Sequence, residues 1–371
     1  MNTYFDNSST SFPKPVEVSS AISDYLLNIG GTYGRAAYGR VLQSSSIVEE
    51  CRDLIGCVIG TEDIEHIGFS MNATYALNLL IRGSLKEGGH VLISPMEHNS
   101  VARPLEVLRK EGKITYDILE ADGSGLVSVD KIKEQVRVNT QLVVINHLSN
   151  VNGVIQSIGE IKQSIEDIKL LVDATQSVGS LAIDVDDRHI DMVAFTGHKG
   201  LLGPTGVGAF YVKDPKAVSP LIYGGTGSKS ESLDMPEFMP DIFEAGTPNI
   251  VGICGLKAAI EHKPEPKHTY EDFLYLLRSI ESLGMYDLYK SENISCQGEV
   301  FSLNHKEIDC GTLAYNLYEF GNIEVRTGLH CAPLAHKHIG TFPKGSLRVS
   351  LSPYHSRDDI EYLLSKLEEV E

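Results

Sequence analysis

The chain has 371 residues, 42% of them hydrophobic, enough to bury a large core and to form two domains or one large domain with a satellite. A formal charge of −18 repels phosphate backbones and anionic lipid surfaces, so no nucleic-acid or membrane partner is expected. No stretch approaches ~20 uninterrupted apolar residues, no basic segment followed by an apolar one opens the chain, and the six cysteines show no Cys-x-x-Cys spacing. These features predict a soluble cytoplasmic protein without a disulfide framework, in which every cysteine except Cys331 is a buried filler.

From residue 64 to 212, apolar runs of strand length alternate with amphipathic stretches of helical length. In chain order they predict a strand at 64–69, a helix at 73–83, a strand at 91–94, a helix at 100–111 and a strand at 114–119. A helix at 128–136, a strand at 142–147, a helix at 158–168 and strands at 170–172, 192–195 and 207–212 follow. Strands apolar on both faces and joined by helices imply a three-layer α/β/α domain with a mainly parallel sheet, its ligands at the carboxyl ends of the strands. Lys263-Pro264-Glu265-Pro266-Lys267 interrupts the pattern, and a helix at 270–284 begins a smaller α+β C-terminal domain. The expected division is an N-terminal arm at 1–15 packed with the small domain, a large domain at 16–262 and a small domain at 263–371.

Two strand ends carry candidate chemistry. Lys199 leaves the run 192–195 within Thr196-Gly197-His198-Lys199-Gly200, where partial desolvation would lower its pKa and make it a nucleophile toward a cofactor aldehyde, pyridoxal phosphate (PLP) being the candidate. Asp173 ends the run 170–172; it suits a helix N-cap, and equally the partner of a protonated pyridine nitrogen, which keeps such a ring electron-withdrawing. Thr74 and the amides that open the helix at 73 could hold a phosphate, with Thr196 and His198 as further donors. His98, in Glu97-His98-Asn99 after a strand, is placed to stack on a flat ring. The stretch Gly224 to Ser230 lacks phosphate-loop spacing and is expected to be a flexible active-site loop.

With these segments in order, the chain resembles the class V, fold-type I PLP enzymes, and within them the cysteine desulfurase and selenocysteine lyase group. The resemblance runs from Tyr4-Phe5-Asp6-Asn7 to Arg348 through Ser149-Asn150-Val151-Asn152-Gly153, Asp173-Ala174-Thr175-Gln176, Thr196-Gly197-His198-Lys199, Glu244-Ala245-Gly246-Thr247-Pro248-Asn249 and Arg326-Thr327-Gly328-Leu329-His330-Cys331. It implies an internal aldimine at Lys199, which would also shuttle the substrate α-proton, with Asp173 on the pyridine nitrogen, Gln176 on the ring hydroxyl and His98 stacked on the ring. Phosphate would be held by the Ala73 amide, Thr74, Thr196 and His198, and by Thr247 from the other subunit of a homodimer. Arg348 would grip the substrate carboxylate beside Asn150, Arg35 would stand at the substrate entrance, and Cys331 would accept sulfur from L-cysteine or a related small amino acid, leaving alanine.

His330, His336 and His338 are expected to lend Cys331 a cationic neighbourhood that favours its thiolate. The chain departs from the family pattern at Ala73, where a threonine is usual, at Gly34-Arg35 and at Pro353-Tyr354-His355-Ser356 after Arg348. The spacing from Cys331 to Arg348 resembles the branch with a compact cysteine loop, which tends to need an acceptor protein for its persulfide. Alternatives are a selenocysteine lyase and an aminotransferase or β-lyase in which Cys331 is incidental. A metal site at His330, Cys331, His336 and His338 lacks the usual zinc spacing, so no metal is expected.

Overall fold

A computed structural model of the chain describes residues 1–34 and 36–370, which form two sheets with helices packed on them. The strands are β1 (Ile67–Ser70), β2 (Gly89–Ile93), β3 (Ile114–Ile118), β4 (Thr140–Asn146), β5 (Lys169–Asp173), β6 (Met192–Thr196) and β7 (Gly208–Val212) in the large sheet, then β8 (Tyr286–Tyr289), β9 (Val300–His305), β10 (Arg326–Gly328) and β11 (Ser346–Ser350) in the small one. The helices are α1 (Val16–Asp24), α2 (Gly39–Ile59), α3 (Ala73–Ser84), α4 (Asn99–Lys110), α5 (Ile132–Gln135), α6 (Ile158–Ile165), α7 (Ile250–Glu261), α8 (Tyr270–Leu283), α9 (Cys310–Gly321), α10 (Pro333–His338) and α11 (Arg357–Glu368). Among the described residues no helix is long and apolar enough to cross a membrane.

The large sheet has the order β1-β7-β6-β5-β4-β2-β3. Only β7 runs against its neighbours. It follows β6 after a loop too short for the crossover that a parallel return requires. Strand alternation divides the apolar side chains between two faces. Val143, Ile145, Val172 and Phe195 join one buried cluster with residues of α2, α6 and α7, while Val144, Leu171 and Ala194 join the other with residues of α3 and α4. This is the three-layer arrangement that the apolar runs predict.

The small sheet is antiparallel, in the order β10-β11-β9-β8. It shares one core with α8, α9 and α11, and Phe5 is fully buried there. The N-terminal segment reaches both sheets. Tyr4 and Asp6 bridge Glu324 and Ser350, and farther along Ser11 N donates to His198 O at 3.0 Å.

Two expectations change at the level of elements. The helix expected at 128–136 shrinks to a 3-10 turn and the single turn of α5, where only Ile132 is buried and so only one apolar anchor holds the segment. Residues 64–66 form a 3-10 turn, so β1 starts at Ile67. The helices α1, α2 and α7, absent from the sequence expectations, lie beside the large sheet, with α1 and α2 each packed on α7. The cysteines also depart from expectation: Cys51 and Cys254 are buried, but Cys57 is exposed and Cys296 and Cys310 are partly so.

Candidate active site

The carboxyl ends of β4, β5 and β6 lie side by side, with Asn146 opposite Asp173 and Asp173 opposite Ala194. A pocket opens over these ends, and the first turns of α3 and α4 complete its wall. Nine residues singled out from sequence line it: Ala73, Thr74, His98, Asn150, Asp173, Gln176, Thr196, His198 and Lys199. Four more that sequence reasoning missed do so as well: Asn72, Ser100, Asn146 and Thr175. Thr175 lies inside a motif already singled out, and Ser100 two residues after His98, so position alone could have raised both.

Lys199 is half-buried, and burial together with the Arg348 charge lowers its pKa to about 8, opposed by the attraction of Asp173. The loop that carries it lies tightly against the turn after β5. A side chain at Gly200 would come within 2.5 Å of Val178 O, and Gly179 packs against Gly200 with φ +88°, so both positions need glycine. From the N-terminal segment, Thr10 Oγ1 and Ser11 Oγ donate to His198 O at 3.2 and 3.1 Å, and Ser8 O accepts from Gln176 Nε2 at 3.0 Å. The arm thus braces the lysine loop and Gln176 together.

Asp173 is 2% exposed, and burial raises its pKa against the lowering effects of Thr175 and the Lys199 charge. Thr175 N donates to Asp173 Oδ1 at 3.0 Å, so the carboxylate takes part in a local turn while a cationic partner remains its main requirement. His98 caps α4: its Nδ1 accepts from Ser100 N at 3.1 Å and lies 2.9 Å from Ser100 Oγ, which is 2.7 Å from Thr74 Oγ1. That chain fixes the imidazole plane. Burial, then the Lys199 charge, lowers the His98 pKa to about 4, and burial with the Lys199 and Lys14 charges does the same for His198, so both rings are neutral at pH 7.

The rest of the predicted set does not line this pocket among the described residues. Thr247 is exposed and outside the pocket, and Arg35 lies outside the described residues. No residue from Gly224 to Ser230 lines the pocket. Arg348 is 2% exposed on β11; it donates through Nη2 to Asp6 Oδ1 at 2.6 Å and Ser9 Oγ at 2.8 Å, and through Nη1 to Asn150 O at 3.0 Å. Its Nε has no partner. The fork expected to grip substrate therefore already holds an internal carboxylate. Asp6 belongs to a motif quoted for the resemblance, yet nothing local in the sequence pairs it with a residue 342 positions away.

Cys331 is exposed, and its loop is tied to the pocket wall at two points. Asn99 N donates to Cys331 O at 2.8 Å, and Asn150 Nδ2 donates to His330 O at 2.9 Å. His330 and Cys331 both adopt positive φ, 46° and 56°, a pair of left-handed non-glycine residues that costs backbone energy. The expected cationic histidines are corrected by the structure. Burial, reinforced by the Arg348 charge, pushes His330 to about 2, and burial alone pushes His336 to about 4, so both are neutral. His330 bonds Ser346 O, His336 bonds Thr341 Oγ1 and His338 bonds Asp122 O, each imidazole with its own partner. Positive charge near the loop comes from Arg348 and Arg326. Among the described residues no three His, Cys, Asp or Glu side chains are grouped to hold a metal ion.

The sequence matches the family described as Aminotransferase class-V over residues 3–363. A probable cysteine desulfurase of Methanothermobacter thermautotrophicus is 32% identical over 100% of this chain and 94% of its own length. The chain belongs to the class-V aminotransferases, in the cysteine desulfurase family. A solved cysteine desulfurase of Thermococcus onnurineus NA1, in its apo form, superposes with a TM-score of 0.91 at 29% identity, covering 99% of this chain and 94% of that one. A cysteine desulfurase of Escherichia coli, 22% identical, shares the fold with a TM-score of 0.85 over 98% of this chain and 93% of its own.

The family consists of PLP-dependent enzymes, and the pocket fits that cofactor. Thr196 Oγ1, His198 Nδ1, Thr175 Oγ1, Asn146 Oδ1 and Asn150 Oδ1 are buried there without partners. Each such atom costs about 1–3 kcal/mol unless a ligand bonds it. Asn72 Oδ1 caps Tyr75 N and Asn72 O accepts from Ala76 N, so the amides of Ala73 and Thr74 are left at the α3 N-terminus for an anion.

Proposed function

We propose that this protein is a cysteine desulfurase that converts L-cysteine to L-alanine and takes the sulfur as a persulfide on Cys331. The observation that carries the reading is one pocket in which a lysine of lowered pKa and a buried aspartate share a wall with five unpaired polar atoms. Lys199 would hold the cofactor through its amine and Asp173 the pyridine nitrogen, with Gln176 at the ring hydroxyl and His98 on the ring face. Ala73 N, Thr74, Thr196 and His198 would hold the phosphate. When bound, PLP supplies an electron-withdrawing ring that stabilises negative charge on the substrate α-carbon.

The chain's own residues supply the rest. Arg348, with Nη1 and Nη2 held by Asn150 and Asp6, would orient the substrate carboxylate through its unpaired Nε; the Lys199 amine would carry the α-proton. The Cys331 thiolate attacks the substrate sulfur, the carbon–sulfur bond breaks with its electron pair left on carbon, and protonation there gives alanine. One sulfur atom moves and no outside oxidant is needed. Cys331 is exposed, as a thiol must be to pass sulfur to an acceptor protein. Thr247, exposed and not part of the lining of its own pocket, would serve the phosphate of a second copy in a homodimer.

The test is to incubate PLP-loaded protein with L-cysteine, quantify alanine and map persulfide by mass spectrometry. Wild type should form equal alanine and protein-bound sulfur, with the persulfide on Cys331. Cys331→Ala should lose alanine formation with its cofactor absorbance unchanged. Wild-type alanine formation by Cys331→Ala would overturn the reading, and retained activity on selenocysteine alone would move it to a selenocysteine lyase.

A further inference from the structure

Glu97, next to the ring-facing His98, is a side chain that the proposed chemistry leaves unused. Its relative exposure is 0%, and glutamate is almost never fully buried without a cationic partner. Among the described residues no ion pair reaches it. One oxygen is well supplied: Ser94 Oγ donates to Oε1 at 2.6 Å and Asn146 N donates to the same atom at 2.7 Å. The other oxygen, Oε2, is buried and unpaired, and so is Oδ1 of Asn146, the residue whose backbone already holds Glu97.

Two buried acceptors without donors, on residues already joined by a hydrogen bond, are a defect that a proton on the Glu97 Oε2 would remove. Asn146 is also the strand partner of Asp173 and lines the cofactor pocket. Glu97 and Asp173 thus stand as two carboxyls in one dry region, where both cannot be charged cheaply. Burial and the Asp173 charge raise the Glu97 pKa to about 8.

We infer that Glu97 is kept as a neutral carboxylic acid whose Oε2 hydroxyl donates to Asn146 Oδ1, holding Asn146 in the pocket wall and leaving Asp173 as the anion beneath the cofactor site. Glu97 is then a positioning residue, acting through Asn146 and Asp173. The inference rests on the reading of Asp173 as the ring's partner only for its purpose, because the proton on Glu97 is measurable without cofactor or substrate.

The experiment compares full-length wild type with Glu97→Gln and Glu97→Leu at neutral pH. Infrared difference spectra between wild type and Glu97→Gln should show the carbonyl stretch of a protonated, buried carboxylic acid in wild type alone. Glutamine reproduces one donor and one acceptor, so it should bind PLP within about threefold of wild type. Leucine strands Ser94 Oγ and both Asn146 groups, so it should bind about tenfold or more weakly. A carboxylate signal in place of the acid band, or loss of PLP affinity by glutamine equal to that by leucine, would overturn the inference. An intact acid band in a protein inactive on cysteine would leave it standing and sink the desulfurase reading instead.

Discussion

Asp173 and Cys331 occupy opposite environments for chemically active side chains. Asp173 is 2% exposed at the end of a parallel strand, where desolvation raises its pKa against hydrogen bonds from Thr175 and the charge of Lys199. Cys331 is exposed on a loop that turns through two left-handed residues, held by backbone bonds to Asn99 and Asn150. The strand-end wall can tune charge because water is excluded from it; the loop can deliver a thiol because nothing covers it. Asn150 joins the two regions, since it lines the pocket and donates through Nδ2 to His330 O in the cysteine loop.

The comparison breaks most visibly at the cofactor. If Asp173 partners the pyridine nitrogen as proposed, Asp173→Ala removes one half of that buried pair, at a cost of about 3–5 kcal/mol, and should weaken PLP binding more than about 100-fold in an absorbance titration. Cys331→Ala should move the same affinity by less than about twofold. Equal losses would mean that the two regions do not divide their roles in this way.

A stability measurement sharpens the contrast next. The folded-state pKa of Lys199, about 8, lies below its ordinary 10.5, so its ammonium form penalises the cofactor-free fold below pH 8 and the penalty fades between pH 8 and 10.5. Lys199→Met should therefore stabilise cofactor-free protein by on the order of 2–3 kcal/mol at pH 7. In urea unfolding followed at both values, that gain should shrink toward zero as pH approaches 10.5. A gain independent of pH would assign the effect to packing.

The smallest expected effect lies at the phosphate end of the strand-end wall. Ala73 lines the pocket beside Thr74. Ala73→Thr adds one hydroxyl and should tighten PLP by about two- to tenfold, the worth of one hydrogen bond. No change in the titration would show that the α3 amides already satisfy the anion.

Local chemistry explains how much of this site was legible in advance. Lys199, Asp173, Thr196 and His198 sit at the ends of continuous apolar runs, and a run buried on both faces can end only where polar groups meet a pocket or solvent, so their placement followed from pattern. The reversed direction of β7 was hidden in those runs, because apolar content says nothing of strand direction. The histidines on either side of Cys331 were misjudged for a related reason: charge on an imidazole depends on burial, and the burial of His330 and His336 arises from elements distant in the chain.

By itself the order of residues determined the alternating layers, the lysine and aspartate at neighbouring strand ends, and the anion-ready start of α3, because periodicity and strand termination are short-range properties. Only the tertiary structure decided that Asp6 neutralises Arg348, that Glu97 is sealed beside Asp173 and Asn146, and that positive charge near Cys331 comes from arginines. Those outcomes depend on which distant groups share a region from which water is excluded, and that is settled by packing.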